Sequence, residues 1–583
     1  MQSTTATRPA EREWIIVPPH PERDRLAGAA GIPPVLAQLL LNRGVRSAAE
    51  VQPFLNPDFT ALLPPDALPG AVPAARRLHD AIRAHRKIVI YGDYDVDGVT
   101  GTAILWQVLK VAGADVSYYV PSRLEEGYGL NVDAVERLAA DGAQMLVTVD
   151  CGITAVAEAA RARALDLEII LTDHHQPHAD LPDAAVLVHP TACGATANPN
   201  LSGEGVALKV AWALARELSG GERVAPQFRD LLLDATTFAA LGLIADVVPV
   251  TDENRIIASF GLRHLKHSKN PGLRALLAVT RLTAKRTYDD YDVGFVMAPR
   301  LNAVGRLGHA RLAVELFTRA DAGRAAEIAA TLDTENRRRQ EVERAIVREA
   351  EALVIERGFH RDGCRGIVLA SPAWHAGVIG IVAARLVERF RRPTILIALE
   401  DGRGQGSGRS VRHFPLHEVL KQCSPHLESY GGHAMAAGVR LRTDQVDGFT
   451  AAFQAEAARR LTPADLRPCV QLDAEVPLYE LTAELVDALQ RMAPFGTGNA
   501  RPRLATQEVE LVDSPRVCGD NGVHLQFTVR QDNAYRKAIA FRFGAQADEL
   551  NQHRRLRVAF EPLVNEWNGQ RKAELKVIDW KPA

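Results

Sequence analysis

Three aspartates spaced two residues apart, Asp93, Asp95 and Asp97, close an apolar run and meet a glycine in YGDYDVDGVTG, residues 91–101. Further along, TDHHQP sets Asp173, His174 and His175 side by side. Between them lies Asp150, followed by Cys151 and Gly152, where the glycine permits a tight turn that frees the carboxylate for bridging. Asp246 stands in the strongly apolar GLIADVVP. An unpaired buried carboxylate is costly, and a cation is the economical partner. Clustered carboxylates with imidazoles are the donor set that Mn²⁺ or Mg²⁺ needs for phosphoester hydrolysis.

Two other readings of the acidic stretch fail on its context. A calcium loop of the EF-hand type wants a glutamate at its twelfth position, which here is Ile104, and a helix in front, where this chain has a strand pattern. A dinucleotide site would want GxGxxG, which is missing. Taken alone, an acidic cluster after a strand is also ordinary turn chemistry, and a bare pair of histidines is usually structural. Asp150 and Asp173, at neighbouring strand ends, turn the balance toward metal.

The elements that must position these residues alternate. Helix AARRLHDAIRAH leads into strand KIVIY, the acidic loop, a helix from about Thr100 to Ala112 and strand VSYYVP. Helix VDAVERLAADG then precedes strand QMLVTVD, helix TAVAEAARARAL precedes EIILTD, and AVLVHP is one more strand. Apolar strands alternating with amphipathic helices predict an α/β fold with a parallel, doubly wound sheet. Ligands of such sheets sit outside the carboxyl ends of the strands. The register therefore puts Asp93, Asp150, Asp173 and His174 on one rim.

Residues 322–357 lack proline, have no glycine after Gly323 and alternate charge along helical faces, which predicts one long helix joining two domains. A second, smaller α/β region spans 364–460, with strand GIVLAS, helix VIGIVAARLVERF, strand PTILIAL, a glycine-rich loop GRGQGSGRS and the turn GGHAMAAG. Beyond PADLRP, five strand-like runs separated by polar turns predict a small antiparallel barrel. Residues 1–12 read as disordered, and 13–70 as a short helix with a proline-rich linker. The expected domains are thus 1–70, 71–321, the helix 322–357, 358–465 and 466–583.

Bulk properties bound the function. A chain of 583 residues exceeds a single core and predicts two to four domains. A net charge of −2 means that any nucleic-acid binding must come from local basic surface. The six cysteines form no CxxC pair, which argues against a zinc ribbon or a disulfide framework and suggests a reducing cytoplasm. The first residues lack an apolar h-region, so no signal peptide is expected. The most membrane-like stretch, 231–248, carries Asp234 and Asp246 and reads as buried core, so no membrane association is expected.

YGDYDVDGVTG, TVDCGI, TDHHQP and GLIADVVP, in that order, resemble the four motifs of the DHH phosphoesterases, and GGHAMAAG resembles the glycine–histidine motif of their accessory DHHA1 domain. The longer segments PSRLEEGYGLN, PRLNAVGRLG, WHAGVIGIVAARL, GSGRS and PFGTGNARP are similar to the branch of this family made of single-stranded-DNA-specific 5′→3′ exonucleases. The resemblance runs from about residue 14 to the C-terminus. It implies a DHH catalytic domain, a DHHA1 substrate-binding domain and a C-terminal OB-fold barrel.

The resemblance also implies roles. Asp95 and Asp150, with Asp93 as companion, would hold one ion; Asp97, Asp150, His174 and Asp246 the other. His175 would contact phosphate or orient a ligand, and Asp173 would fix a histidine tautomer. Mixed carboxylate and imidazole donors suit Mn²⁺ somewhat better than Mg²⁺. A pocket for a terminal phosphate would use Ser407, Gly408 and Arg409, with His375 and the turn Gly431-Gly432-His433; Arg123, Arg300 and Arg306 would line the path. Barrel aromatics Phe527, Tyr535, Phe541, Phe543 and Trp567, near Arg536, Lys537, Arg554 and Arg555, are candidates for stacking on single-stranded DNA, most of them being core. The implied activity is release of 5′-mononucleotides in recombinational and mismatch repair, by a monomer, with single-stranded-DNA-binding protein and a RecQ-type helicase as partners. Rival readings are a DHH oligonucleotide or cyclic-dinucleotide phosphodiesterase, a phosphatase of nucleotide by-products, or a catalytically silent DHH scaffold.

Overall fold

The computed structural model describes residues 12–583 except 124, 125, 195 and 309. The expected disorder of residues 1–12 thus falls almost wholly outside the described residues. Two compact units divide the chain: one contains residues 61–248 and 253–466, the other residues 1–60, 249–252 and 467–583.

In the larger unit, five strands form an all-parallel sheet: β1 (Ile88–Gly92), β2 (Val116–Tyr119), β3 (Met145–Val149), β4 (Glu168–Thr172) and β5 (Val186–Val188). Their spatial order is β2-β1-β3-β4-β5, so the order reverses between β1 and β3. That is the switch point where such sheets open a crevice for ligand. Every residue of β1 and β3 is buried, as continuous apolar strands covered on both faces require.

Helices α1 (Val96–Val111), α2 (Val132–Ala140), α3 (Val156–Ala164), α4 (Gly203–Leu218) and α5 (Pro226–Asp246) surround the sheet. Helix α1 begins at Val96, earlier than the expected Thr100. Asp95 caps it, its side chain accepting the amide of Gly98 at 3.1 Å. The acidic stretch is therefore part loop and part first helical turn. The apolar run 231–248 is the buried end of α5, and among the described residues no helix is long and apolar enough to cross a membrane.

Helix α6 (Ala298–Leu307) leads to the long connector α7 (Ala322–Glu356), as the charge pattern predicts. Beyond it a second sheet contains β6 (Ile367–Ser371), β7 (Thr394–Glu400), β8 (Arg403–Arg409), β9 (Ser429–Gly432) and β10 (Ala436–Arg442), in the order β9-β10-β8-β7-β6, with α8 (Ile379–Phe390) on one face. The glycine-rich stretch is thus a strand, not the expected loop. Glycine suits it because a Cβ at Gly406 would strike the Val439 side chain of the neighbouring strand at 2.5 Å.

In the other unit, β11 (Val509–Leu511), β12 (His524–Gln531), β13 (Ala534–Ala540), β14 (Arg555–Trp567) and β15 (Gln570–Pro582) close a ring. The ring is antiparallel except for one parallel seam between β13 and β15, where an entirely antiparallel barrel was expected. The stretch expected as a separate segment 1–70 divides at residue 60. Val35, Leu36, Leu39 and Leu40 share a core with Phe527, Phe560 and Trp580, and the strand Glu13–Ile16 pairs with Cys469–Leu472.

Candidate metal centre

Each sequence-named acid of the rim sits where a strand or helix ends. Asp93 follows β1, Asp150 follows β3, Asp173 and His174 follow β4, and Asp246 is the last residue of α5. Asp93, Asp97 and Asp150 are 1–2% exposed. The packing that brings them together relies on two glycines. A Cβ at Gly98 would stand 2.7 Å from the backbone of Asp93, and one at Gly203 would stand 2.7 Å from Oδ1 of Asp150.

The Nε2 of His174 lies 3.1 Å from Asp150 Oδ1, 3.6 Å from Asp97 Oδ2 and 3.7 Å from Asp246 Oδ2. Donor atoms of Asp97, His174 and Asp246 fall within 4.8 Å of one another, as do those of Asp93, Asp95 and Asp150, and those of Asp150, His174 and His175. Asp150 thus belongs to two of these groups and touches the third through His174.

This cluster is electrostatically unfinished. Burial first, then mutual repulsion among the acids, holds Asp93 and Asp150 far above the ordinary carboxylate range, raises Asp95, and pushes Asp246 up to about 8. Burial lowers His174, leaving a neutral imidazole of the kind a metal ligand must be. Asp93 Oδ1, Asp150 Oδ1 and His174 Nε2 are buried and make no hydrogen bond. Buried polar atoms left without partners are expensive, and divalent cations would satisfy all of them at once while inverting the acids' pKa values. The donor set therefore fits divalent metal.

Asp173 plays a different part. Its Oδ1 accepts the amides of His174 (2.7 Å) and His175 (3.1 Å) and meets His175 Nδ1 at 2.8 Å, while Oδ2 accepts the amide of Ile153 at 2.9 Å. Burial opposes its charge, but these bonds outweigh it and hold Asp173 down at about 2. Reciprocally, burial disfavours the charged His175, yet the bond to Asp173 raises it to about 9. The two histidines are thus sorted, one neutral among acids and one cationic beside them.

Several contributors escape sequence reading. Helix α4 aims its first amides at Asp97, whose carboxylate accepts from Gly203 (2.9 Å) and Glu204. Glu204 is itself fully buried beside Asp97, bonded to Ser202 and raised by burial and by that acid. The Tyr128 hydroxyl meets His175 at 3.0 Å and the Asp150 carbonyl at 3.1 Å. Asn302 Oδ1 accepts the amide of Val96. The glycine-flanked acid of SGEG and the aromatic in GYG were the visible signals for two of them.

The basic residues divide. Arg306 donates to the Gly377 carbonyl at 3.2 Å, and Arg123 stacks over Tyr94 at 5.0 Å. Arg409 lies against the α8 N-terminus, where a Cβ at Gly380 would stand 3.3 Å from its Nη2 and 2.8 Å from Ser407 Oγ. Burial, then repulsion from Arg123, Arg339 and Arg409, lowers Arg306 to about 10, and burial with Arg123 lowers Arg409. Among the described residues, Arg123, Arg306 and Arg409 form no ion pair. Converging guanidinium groups that no ion pair neutralises among the described residues make a site for an anion.

Other expectations need correction. Arg300, expected on the strand path, is instead tied to Asp333 of α7 at 2.9 Å. Ser407, Gly408 and Arg409 lie on β8, whose backbone pairs on both sides, so its amides are taken up by the sheet and cannot form the expected loop cradle. His375 turns inward, Nδ1 accepting the Gly377 amide at 3.0 Å, and lines a separate cavity with Trp374 and Arg403. Gly432 and His433 line a cavity of about 810 Å³ with Tyr128, Asp173 and His175.

In the barrel unit, Phe527 is 4% exposed and belongs to the core, against which Phe543 also packs. Tyr535 and Trp567 line a groove with Arg536 and Lys537, whereas Phe541 packs edge-on against His524 outside it. Arg555 is paired with Glu508, and Arg554 is exposed.

Comparison with known proteins agrees with this geometry. Three family profiles match: DHH family, N-terminal domain, at 87–236; DHHA1 domain at 364–459; and RecJ OB domain at 472–579. The chain is 36% identical to the single-stranded-DNA-specific exonuclease RecJ of Bacillus subtilis, over 98% of this chain and 71% of that protein. Among solved structures, RecJ of Thermus thermophilus in complex with Mn²⁺ matches with a TM-score of 0.83 at 32% identity, covering 98% of this chain and 80% of the other. Its complex with Mg²⁺ matches with a TM-score of 0.77 at 30% identity, covering 98% and 79%.

Proposed function

The chain belongs to the RecJ family, and from that premise we propose that it is a single-stranded-DNA-specific exonuclease that removes nucleotides from the 5′ end by hydrolysis. The observation that carries this reading is the acid–imidazole cluster with its orphaned buried atoms, in the same unit as three arginines that form no ion pair among the described residues.

Asp93, Asp95 and Asp150 would hold one ion, and Asp97, Asp150, His174 and Asp246 the other. When bound, a pair of Mn²⁺ or Mg²⁺ ions supplies Lewis-acid charge for the phosphodiester and lowers the pKa of an attacking water. The protein's own groups do the rest. Asp97 is fixed by the α4 amides, and Asp173 aligns His175 as a cationic donor toward a phosphate oxygen, with Tyr128 beside it. Arg123, Arg306 and Arg409, with Ser407, would hold the terminal 5′ phosphate, which gives polarity. Arrival at the cluster one nucleotide at a time yields 5′-mononucleotides.

The barrel groove, with Tyr535 and Trp567 above Lys537, offers bases a stacking surface and phosphates a positive one. The family resemblance supports a role in recombinational and mismatch repair, in the cytoplasm, by a monomer working with single-stranded-DNA-binding protein and a RecQ-type helicase. Digestion of end-labelled single and double strands with Mn²⁺ tests the central reading. Mononucleotide should leave a 5′-labelled single strand first; prior release from the 3′ end, or equal digestion of duplex, would refute it.

A further inference from the structure

The long helix α7 carries a row of polar side chains where a connector would ordinarily bury apolar ones. Asp333, Asn336 and Glu343 are 2–5% exposed, and the Arg339 side chain is 11% exposed. Their spacing along the helix places them on one face. The row is internally bonded: Arg339 Nη1 meets Glu343 Oε2 at 3.0 Å, and Nη2 donates to Asn336 Oδ1 at 3.0 Å.

It is also bonded outward, at both ends. Asp333 holds Arg300 of α6 at 2.9 Å, and Glu343 Oε1 pairs with Arg385 of α8. Helix α6 carries one member of the arginine cluster and α8 abuts another. Arg306 lies at the end of α6 and donates to Gly377, just before α8, while Arg409 and Ser407 press against Gly380 in the first turn of α8. Arg339 itself lies close enough to Arg306 to repel it. Each face of the anion pocket is therefore tied to the same third helix.

Burying charge costs several kcal/mol per ion, and well-packed apolar residues generally stabilise as much or more. An ionic row kept at that cost between two helices is better explained by alignment than by stability. We infer that Asp333, Asn336, Arg339 and Glu343 form a positioning brace that sets the gap between Arg306 and Arg409, and with it the preference for strands bearing a 5′ phosphate. Arg300 and Arg385 are its two outward ties. The inference rests on the phosphate pocket proposed above and adds the residues that set its width.

The test measures binding without turnover. Affinities of 5′-phosphorylated and 5′-hydroxyl oligothymidylate are compared in EDTA by fluorescence anisotropy, for wild type, Glu343→Gln, Arg385→Gln and Arg409→Ala. Because a charge-assisted bond to phosphate is roughly twice as strong as a neutral one, loosening it should lower the phosphate preference about tenfold in Glu343→Gln and less in Arg385→Gln. Affinity for the 5′-hydroxyl strand should stay within about twofold, which general loss of structure would not allow. Arg385 is 58% exposed, so its replacement should leave the fold intact if Glu343→Gln does not. Unchanged preference in Arg385→Gln, or equal weakening of both strands, would overturn the brace. If wild type shows no preference, or Arg409→Ala keeps it, the pocket reading fails first.

Discussion

Gly203→Ala asks whether the spacing of the acids, rather than their presence, governs turnover. A Cβ at this position would stand 2.7 Å from the Cβ and Oδ1 of Asp150 and 2.9 Å from its Cγ. Ordinary contact begins near 3.4 Å, so something must retreat by about 0.7 Å. Neither side is free to do so. The Gly203 amide is bound to Asp97 at 2.9 Å, and Asp150 sits at φ 64° with its own amide bound to Thr172 at 3.1 Å. Either retreat separates Asp97 from Asp150, the two acids flanking His174. With misplacement of about 1 Å costing on the order of a hundredfold, kcat should fall about 10- to 50-fold. Helix propensity works the other way, since alanine is favoured over glycine by about 1 kcal/mol in a helix, so stability should change little. The assay is Mn²⁺-dependent nucleotide release from 5′-labelled single strands, with the melting temperature and strand binding in EDTA as controls. A kcat within about threefold of wild type, with an unchanged melting curve, would refute the spacing argument.

Asp150→Ala should abolish detectable turnover while leaving single-strand affinity in EDTA within about twofold, because it belongs to two of the three donor groups; surviving hydrolysis would remove it from the centre. Metal-stripped protein should melt higher when Mn²⁺ is restored, by about 2.7 kcal/mol at a hundredfold excess over Kd, since the cation relieves repulsion among buried acids; calorimetry showing no shift would contradict the metal reading. Replacing Tyr535 and Trp567 together by alanine should weaken binding of long single strands by about 1–3 kcal/mol per lost stack while sparing cleavage of a dinucleotide, and equal loss on both substrates would take the barrel groove out of the substrate path.

The strand-end logic carried much of the site. Once alternation implied a parallel sheet, Asp93, Asp150, Asp173 and His174 had to share a rim, and they stand there, at the ends of β1, β3 and β4. Where periodicity is weak, the reading slipped. GRGQGSGRS looked like a loop because glycine dominates it, yet packing between two neighbouring strands makes it β8, with glycine required for lack of room. Helix α1 was placed late because three aspartates look like a loop until one is recognised as a cap. Arg300 is implied as a strand contact by the resemblance of its segment, and only the facing Asp333 reveals a tie.

Composition and order of motifs thus determined the class of chemistry, the candidate donor residues and the parallel sheet that presents them, since these depend on local periodicity and residue type. Tertiary structure alone decided which histidine is held neutral by burial and why Gly203 and Glu204 matter. Those properties arise from distances and burial among side chains far apart along the chain, and electrostatic energy depends on separation and desolvation, neither of which a string of letters contains.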